Sequence, residues 1–401
     1  MQLNRLSLTN FRNFARLDAE VPEGATLIVG RNAQGKTSLL EAIYFLATLD
    51  SFHAESDRQL VNFLEARKPL AVARLQAGFR RGQGQHQLEV RIIKEQTRNG
   101  VDRSRKEVLL DGAKKKAGEV AGQFQAVLFL PQMLQIVEGS PSHRRRYLDL
   151  ALSQVQFGYA DQLSEYENLL SQRNALLKQL AENEGDASQL DFWDKRLALR
   201  AGQILTARFR AVQELDALAG RMHHELTRGA EVLRLNYQPS YDPAPAPVKQ
   251  RVLIAEPIDR SGVEQNKIEA GYLKALQSTR GEDIARGSTS IGPHRDELRF
   301  LGNGVDLGSF GSRGQVRTTL LTLKLAELDW MQSRSGYRPV LLLDEVLAEL
   351  DATRRADLLA RLDPQQQVLL TTTDFNLFTP EFLARAQRWE IQEGRLVEPL
   401  P

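Results

Sequence analysis

The chain has 401 residues, with 53 Lys and Arg against 51 Asp and Glu, 42% hydrophobic residues and a net charge of +2. At about 150 residues per domain this length predicts two or three domains, and the average composition excludes collagen-like, low-complexity and wholly disordered chains while leaving the global charge silent about partners. Zero cysteines exclude disulfides, thiolate nucleophiles and thiolate zinc sites, six scattered histidines form no ligand pair at helical spacing, and no stretch approaches the roughly 18 apolar residues of a membrane span.

The N-terminus carries Arg5 and Arg12 where a signal peptide would be apolar, so a cytoplasmic chain with no membrane association is expected. Leu3, Leu6, Leu8 and Phe11 alternate with polar residues, and Ala25 to Val29 is a short apolar run ended by Gly30; both patterns predict buried strands. From Thr37, residues Leu39, Leu40, Ile43, Tyr44 and Leu46 recur at helical spacing. Between strand and helix lies Gly30-Arg31-Asn32-Ala33-Gln34-Gly35-Lys36-Thr37, which satisfies the phosphate-loop pattern. In such a loop backbone NH groups close around phosphate at the positive end of the helix, Lys36 reaches the β and γ phosphates, and the Thr37 hydroxyl is offered to Mg²⁺.

Residues 71–111 alternate apolar and polar, with Gly82, Gly84, Gly100 and Gly112 at the turns, which predicts antiparallel hairpins. Residues 91–116 hold nine basic and four acidic residues, a local excess in a neutral chain and a candidate track for a nucleic-acid backbone through Arg103, Arg105, Lys106 and Lys114 to Lys116. Arg144 to Arg146 are a second basic candidate, although three consecutive arginines on a helix do not share one face. Residues 159–182 and 192–215 each carry a helical apolar pattern and predict one inserted antiparallel helical hairpin. Residues 237–248, with four prolines, predict a linker. Then follow a helix at 312–333, a buried strand at 340–343, a helix at 352–362 and a buried strand at 368–371.

The strand at 340–343 ends in Asp344 and Glu345. A carboxylate at the end of a strand beside a phosphate loop suits Mg²⁺, and the next acid suits polarisation of an attacking water. Ser312, Gly314 and Gln315 precede a helix, where Ser312 can cap the N-terminus and Gly314 lets backbone approach an anion.

The order of phosphate loop, Ser312-x-Gly314-Gln315, Asp344-Glu345 and Leu350-Asp351 resembles the ATP-binding-cassette head domains, and Ser312 follows Thr37 by 275 positions, as in the split heads of SMC-type proteins. Leu8 to Phe14, Gly139 to Asp149, Gly292 to Glu297 and Leu343 to Asp351 further resemble the RecF family of bacterial replication and repair proteins. The resemblance implies an α/β ATPase head with a split cassette, an antiparallel β subdomain and an inserted helical hairpin lobe. Its segments would be 1–150 and 336–401 for the ATPase lobe, with 151–250 and 251–335 for the second lobe. It implies a weak DNA-stimulated ATPase that dimerises on ATP, binds gapped or single/double-strand junction DNA with little sequence specificity, and helps RecO and RecR load recombinase. Glu345, Lys36 and Gln132 would be catalytic; Thr37, Asp344 and Gln132 would hold Mg²⁺; Arg12 would lie near the nucleotide. Ser312, Gly314 and Gln315 would meet the nucleotide across the dimer, and Asp351, counted with the nucleotide-binding residues, would communicate across it. Gln132-Met133 stands where the family commonly has Glu-Asp, and no switch histidine follows the strand at 368–371, which leaves Thr373 or Asp374. A transporter ATP-binding subunit and an overcoming-lysogeny-type ATPase are the alternatives.

Overall fold

Residues 1–96, 102–182, 185–244 and 257–397 are described by the computed structural model, and they form two units. The first unit takes Met1–Met133 and Glu327–Pro401, so its core is assembled from both ends of the chain. Its antiparallel sheet has the order Phe14–Glu20, Gln2–Phe11, Leu70–Arg81, Gly84–Gln96, Asp102–Leu110, Ala113–Lys115. Leu8 faces Leu75, Leu75 faces Val90 and Val90 faces Val108, so one apolar residue per strand builds a ladder that packs with Ile43 and Phe45 of the helix Lys36–Thr48. The expected hairpins are present, turning at Gly82 and Gly112 with φ of 60° and 79°; Gly100 lies outside the described residues.

The second sheet of this unit has the order Arg395–Val397, Gln387–Gln392, Ala25–Val29, Val368–Thr372, Val340–Asp344, Ala126–Phe129. All its pairs are parallel except the terminal hairpin. Strands covered on both faces read as unbroken apolar runs, which is why Leu341–Leu343 and Leu369–Leu370 carry no alternation. Asp344 lies level with Thr371, and Thr371 with Ile28, so three strands deliver their C-terminal ends to one edge. In open α/β sheets that edge is where ligands bind.

The second unit is Leu134–Ala326. It holds the helices Pro141–Val155, Tyr159–Ala181, Leu190–Leu226 and Gln265–Arg286 and a small antiparallel sheet in the order Val305–Asp306, Glu297–Gly302, Leu233–Gln238. Three expectations change here. The helical hairpin becomes three long helices, since Gln265–Arg286 packs on both of its members. The boundary at 150/151 falls inside Pro141–Val155, and pairing of Leu233–Gln238 with Glu297–Gly302 joins 151–250 to 251–335 as one body. The return to the first unit comes within the helix Arg313–Ser335, at 326/327 and not at 335/336. The linker at 237–248 begins later than expected because Leu233, Leu235 and Tyr237 alternate as a strand; 245–248 and the 250/251 boundary lie outside the described residues.

Buried charges fasten this unit. Arg173 donates to Asp194 at 2.7 Å and to Asp283 at 2.8 Å, with all three side chains out of water. Arg208 donates to Asp149 at 2.9 Å and to the Pro293 carbonyl at 2.7 Å. Among the described residues no helix is long and apolar enough to cross a membrane.

Candidate functional site

The turn from the strand Ala25–Val29 into the helix Lys36–Thr48 depends on two glycines. Gly30 has φ of 155° and a Cβ there would lie 2.5 Å from the Ile391 carbonyl oxygen; Gly35 has φ of 116° and a Cβ there would lie 2.5 Å from Asn13 Nδ2. The loop is braced from two sides. Asn13 Nδ2 donates to the Gln34 carbonyl at 2.9 Å, and the backbone NH groups of Glu393 and Gly394 reach Gln34 Oε1 and its carbonyl at 2.5 and 3.1 Å. Arg31, Asn32 and Ala33 stay exposed, with Ala33 in the left-handed region at φ 64°.

Lys36 is only 5% exposed. Its ammonium donates to the carbonyls of Gly30 at 2.8 Å and Arg31 at 3.3 Å, and lies 3.2 Å from Glu345 Oε1. Thr37 Oγ1 donates to Asp344 Oδ2 at 2.7 Å, while Thr371 Oγ1 donates to Asp344 Oδ1 at 2.6 Å and accepts from the Glu345 NH at 2.9 Å. The strand ends and the helix start thus bring two threonine hydroxyls onto Asp344 and set Glu345 beside Lys36. Glu345 itself turns the chain in the left-handed region, φ 51°, which sets the direction of its side chain away from the strand.

Lys36, Thr37, Asp344 and Glu345 line a cleft of about 640 Å³, within the range of small-molecule sites. Arg12 lines it too, with φ of 51° and a guanidinium held on two sides. Nε and Nη2 donate to Glu41 at 2.8 and 2.7 Å, Nη1 donates to the Gln59 carbonyl at 3.0 Å, and Ser51 Oγ donates to Glu41 at 2.5 Å. Gln132 sits on the cleft in the turn Pro131–Leu134, exposed. Glu41, Asn62, Phe63 and Leu64 belong to this cleft or its wall and had no motif to mark them.

Ser312, Gly314 and Gln315 fall in the second unit. Ser312 caps as expected, in a reciprocal box: the Gln315 NH donates to Ser312 Oγ at 3.2 Å and the Ser312 NH donates to Gln315 Oε1 at 2.9 Å. Asp351 caps the helix Ala352–Arg361 by accepting from the Arg354 NH at 2.9 Å; that bond, with the Arg354 charge, holds its carboxyl below the usual range. Thr373 and Asp374 are exposed, and Asp374 caps the next turn by accepting from the Asn376 NH.

The basic candidates divide. Arg144 is buried against Glu297 at 2.6 Å and Arg145 donates to the Asp296 carbonyl at 2.7 Å, so both serve the interior of the second unit; Arg146 is exposed. Arg105 pairs with Glu107, Lys106 lies 3.3 Å from Asp57, and Lys114 and Lys115 lie 3.2 and 3.7 Å from Glu107 and Glu119. Lys114 and Lys115 lie in the short strand Ala113–Lys115. Arg103 and Lys116 are exposed.

With the site in place, comparison with known proteins is direct. The RecF/RecN/SMC N-terminal domain family matches residues 2–383. The chain is 41% identical over 409 residues to the DNA replication and repair protein RecF of Roseiflexus castenholzii and 40% identical over 406 residues to that of Chloroflexus aurantiacus, with 99% of each chain covered in both cases. Its fold matches the structure of the recombination mediator protein RecF with ATP, in the RecFOR pathway, at a TM-score of 0.83 and 30% identity, over 100% of this chain and 98% of that one. Likeness over the whole length, the split core and the glycine-built loop beside paired acids agree, and this chain belongs to the RecF family of DNA replication and repair proteins, of SMC-like ATP-binding-cassette heads.

Proposed function

We propose that the cleft binds ATP, that two copies of the chain close on two ATP molecules, and that hydrolysis reopens them. The observation that carries this reading is the meeting of Lys36, Thr37, Asp344 and Glu345 in one cleft beside a loop only glycine can form. Exposed backbone at 31–33 and the start of the helix Lys36–Thr48 offer NH groups and a positive helix end to phosphate, with Lys36 supplying the charge for the β and γ phosphates.

The Thr37 hydroxyl and the Asp344 carboxylate are hard oxygen donors 2.7 Å apart, a donor set that fits Mg²⁺. Thr37 and Asp344 would hold it, with Gln132 as a further ligand, and when bound it would offset phosphate charge. Glu345 is the base that orients and deprotonates water, and its exit from the strand through a left-handed residue aims it at the cleft. Arg12, fixed by Glu41, meets the nucleotide.

Ser312, Gly314 and Gln315 serve the nucleotide of the opposite copy, and Asp351 communicates across the same interface. DNA, gapped or at single/double-strand junctions, is bound through phosphate contacts with little sequence specificity, and RecO and RecR are the partners in recombinase loading. The RecFOR setting of the solved relative supports that last point. The reading is tested by titrating ATP into the chain and into Lys36→Ala: binding to the first and loss of at least a hundredfold in the second are expected, and equal affinity would refute the site.

A further inference from the structure

Two large apolar side chains stand out on the cleft. Phe63 is 69% exposed and Leu64 is 66% exposed, although Val61 and Asn62 just before them are buried. The segment that presents them is pinned. Arg12 NH donates to the Leu60 carbonyl at 2.8 Å, Asn62 NH to the Asn10 carbonyl at 2.7 Å, and Asn62 Nδ2 to the Arg12 carbonyl at 2.7 Å. Leu64 NH then donates to Asn62 Oδ1 at 3.1 Å and Ala66 NH to the Asn62 carbonyl at 2.8 Å. An apolar pair at a loose loop tip is ordinary, but one held out by this many specific bonds is a formed surface. Arg67 lies over the Phe63 ring, its guanidinium carbon 4.5 Å from the centroid, which helps to hold the ring where it lines the cleft.

We propose that Phe63, with Leu64 beside it, is the platform on which the base of the bound nucleotide lies. The proposal rests on the nucleotide reading of the cleft and adds what recognises the other end of the ligand. Phe63 and Leu64 line the same cleft as Lys36 and Thr37, so a ligand whose phosphates sit at the glycine loop has its base as the one flat apolar part left to cover. Aromatic stacking serves any base, because each has a π face. Asn62, the polar neighbour, has both ends of its amide engaged in holding the loop, so it has no reason to be counted as a reader of the base edge.

The test compares ATP with inorganic tripolyphosphate, which carries the phosphates without a base, in titrations of the full chain, Phe63→Ala and Phe63→Trp. Phe63→Ala should weaken ATP by roughly 5- to 100-fold, the range of one lost base stack, leave tripolyphosphate unchanged, and Phe63→Trp should restore ATP affinity. Equal ATP affinity in Phe63→Ala would overturn the platform. So would parallel loss of ATP and tripolyphosphate, which would make Phe63 a prop of the cleft, or unchanged ATP affinity with loss of dimer or DNA binding, which would make the pair a macromolecular contact. Failure of the parent chain to bind either ligand would instead strike the nucleotide reading itself.

Discussion

Asp344 and Glu345 are adjacent in sequence yet differ in what surrounds them. Asp344 is buried and accepts from two threonine hydroxyls, whereas Glu345 leaves the strand through a left-handed residue and faces Lys36. Glu345→Gln keeps shape and removes the base, so ATP should still bind while phosphate release falls by roughly 10² to 10⁴. Asp344→Asn turns an amide toward hydroxyls that were donating to a carboxylate, so ATP affinity in the presence of Mg²⁺ should fall with it. Wild-type turnover in Glu345→Gln would move water activation to another residue. At this scale the sequence is readable where chemistry is local: a glycine loop or two acids at a strand end carry their own pattern. Arg12 and Glu41 make a bidentate pair 29 positions apart, which no window of sequence contains. Part of the basic excess at 91–116 is likewise offset from outside that window, by Asp57 beside Lys106 and Glu119 beside Lys115.

At the scale of elements, the parallel strands announce themselves because burial on both faces leaves unbroken aliphatic runs. The helix Gln265–Arg286 does not, because only Ile268, Tyr272 and Leu276 of its apolar residues are buried, with Asp283 continuing the stripe as a partner of Arg173. Charge replaces apolar periodicity there, and a hydrophobic pattern misses it. The turn Pro293–Arg295 shows the same economy. His294 Nδ1 lies 2.7 Å from Tyr166 Oη and its Nε2 lies 3.3 Å from the Thr289 carbonyl, an arrangement for a neutral ring. Burial is the main cause that lowers its pKa to about 4, and the nearby charges of Arg295, Arg145 and Arg208 add to it, against the opposing hydrogen bond to Thr289. An unfolded histidine takes its proton near pH 6.5, so the unfolded chain binds more protons between about 4 and 6.5 and this site's stability is present above that window and lost as pH falls through it. Urea midpoints should show about 2 kcal/mol less stability from this group at pH 5 than at pH 7.5, and His294→Gln should flatten that part of the profile. An identical pH slope in the variant would place the proton uptake elsewhere.

For the whole molecule the central claim is that ATP joins two chains, the cleft of one meeting the Ser312 segment of the other. The capping box engages the backbone NH groups of Ser312 and Gln315, and exposed Arg313 and Gly314 leave the rest of the helix start accessible. A bulky cation in place of Ser312 would remove the cap and, if the segment receives the opposite copy's γ-phosphate as proposed, fill that space. The direct measurement is light scattering after size exclusion of the full chain and of Ser312→Arg, each with saturating ATP and Mg²⁺ and with ATP occupancy measured on the same samples. The account predicts that the parent chain moves from 45.1 kDa to twice that mass on ATP, while Ser312→Arg binds ATP equally and stays at 45.1 kDa. A parent chain that remains at 45.1 kDa with its cleft filled, or a Ser312→Arg variant that still doubles, would contradict it.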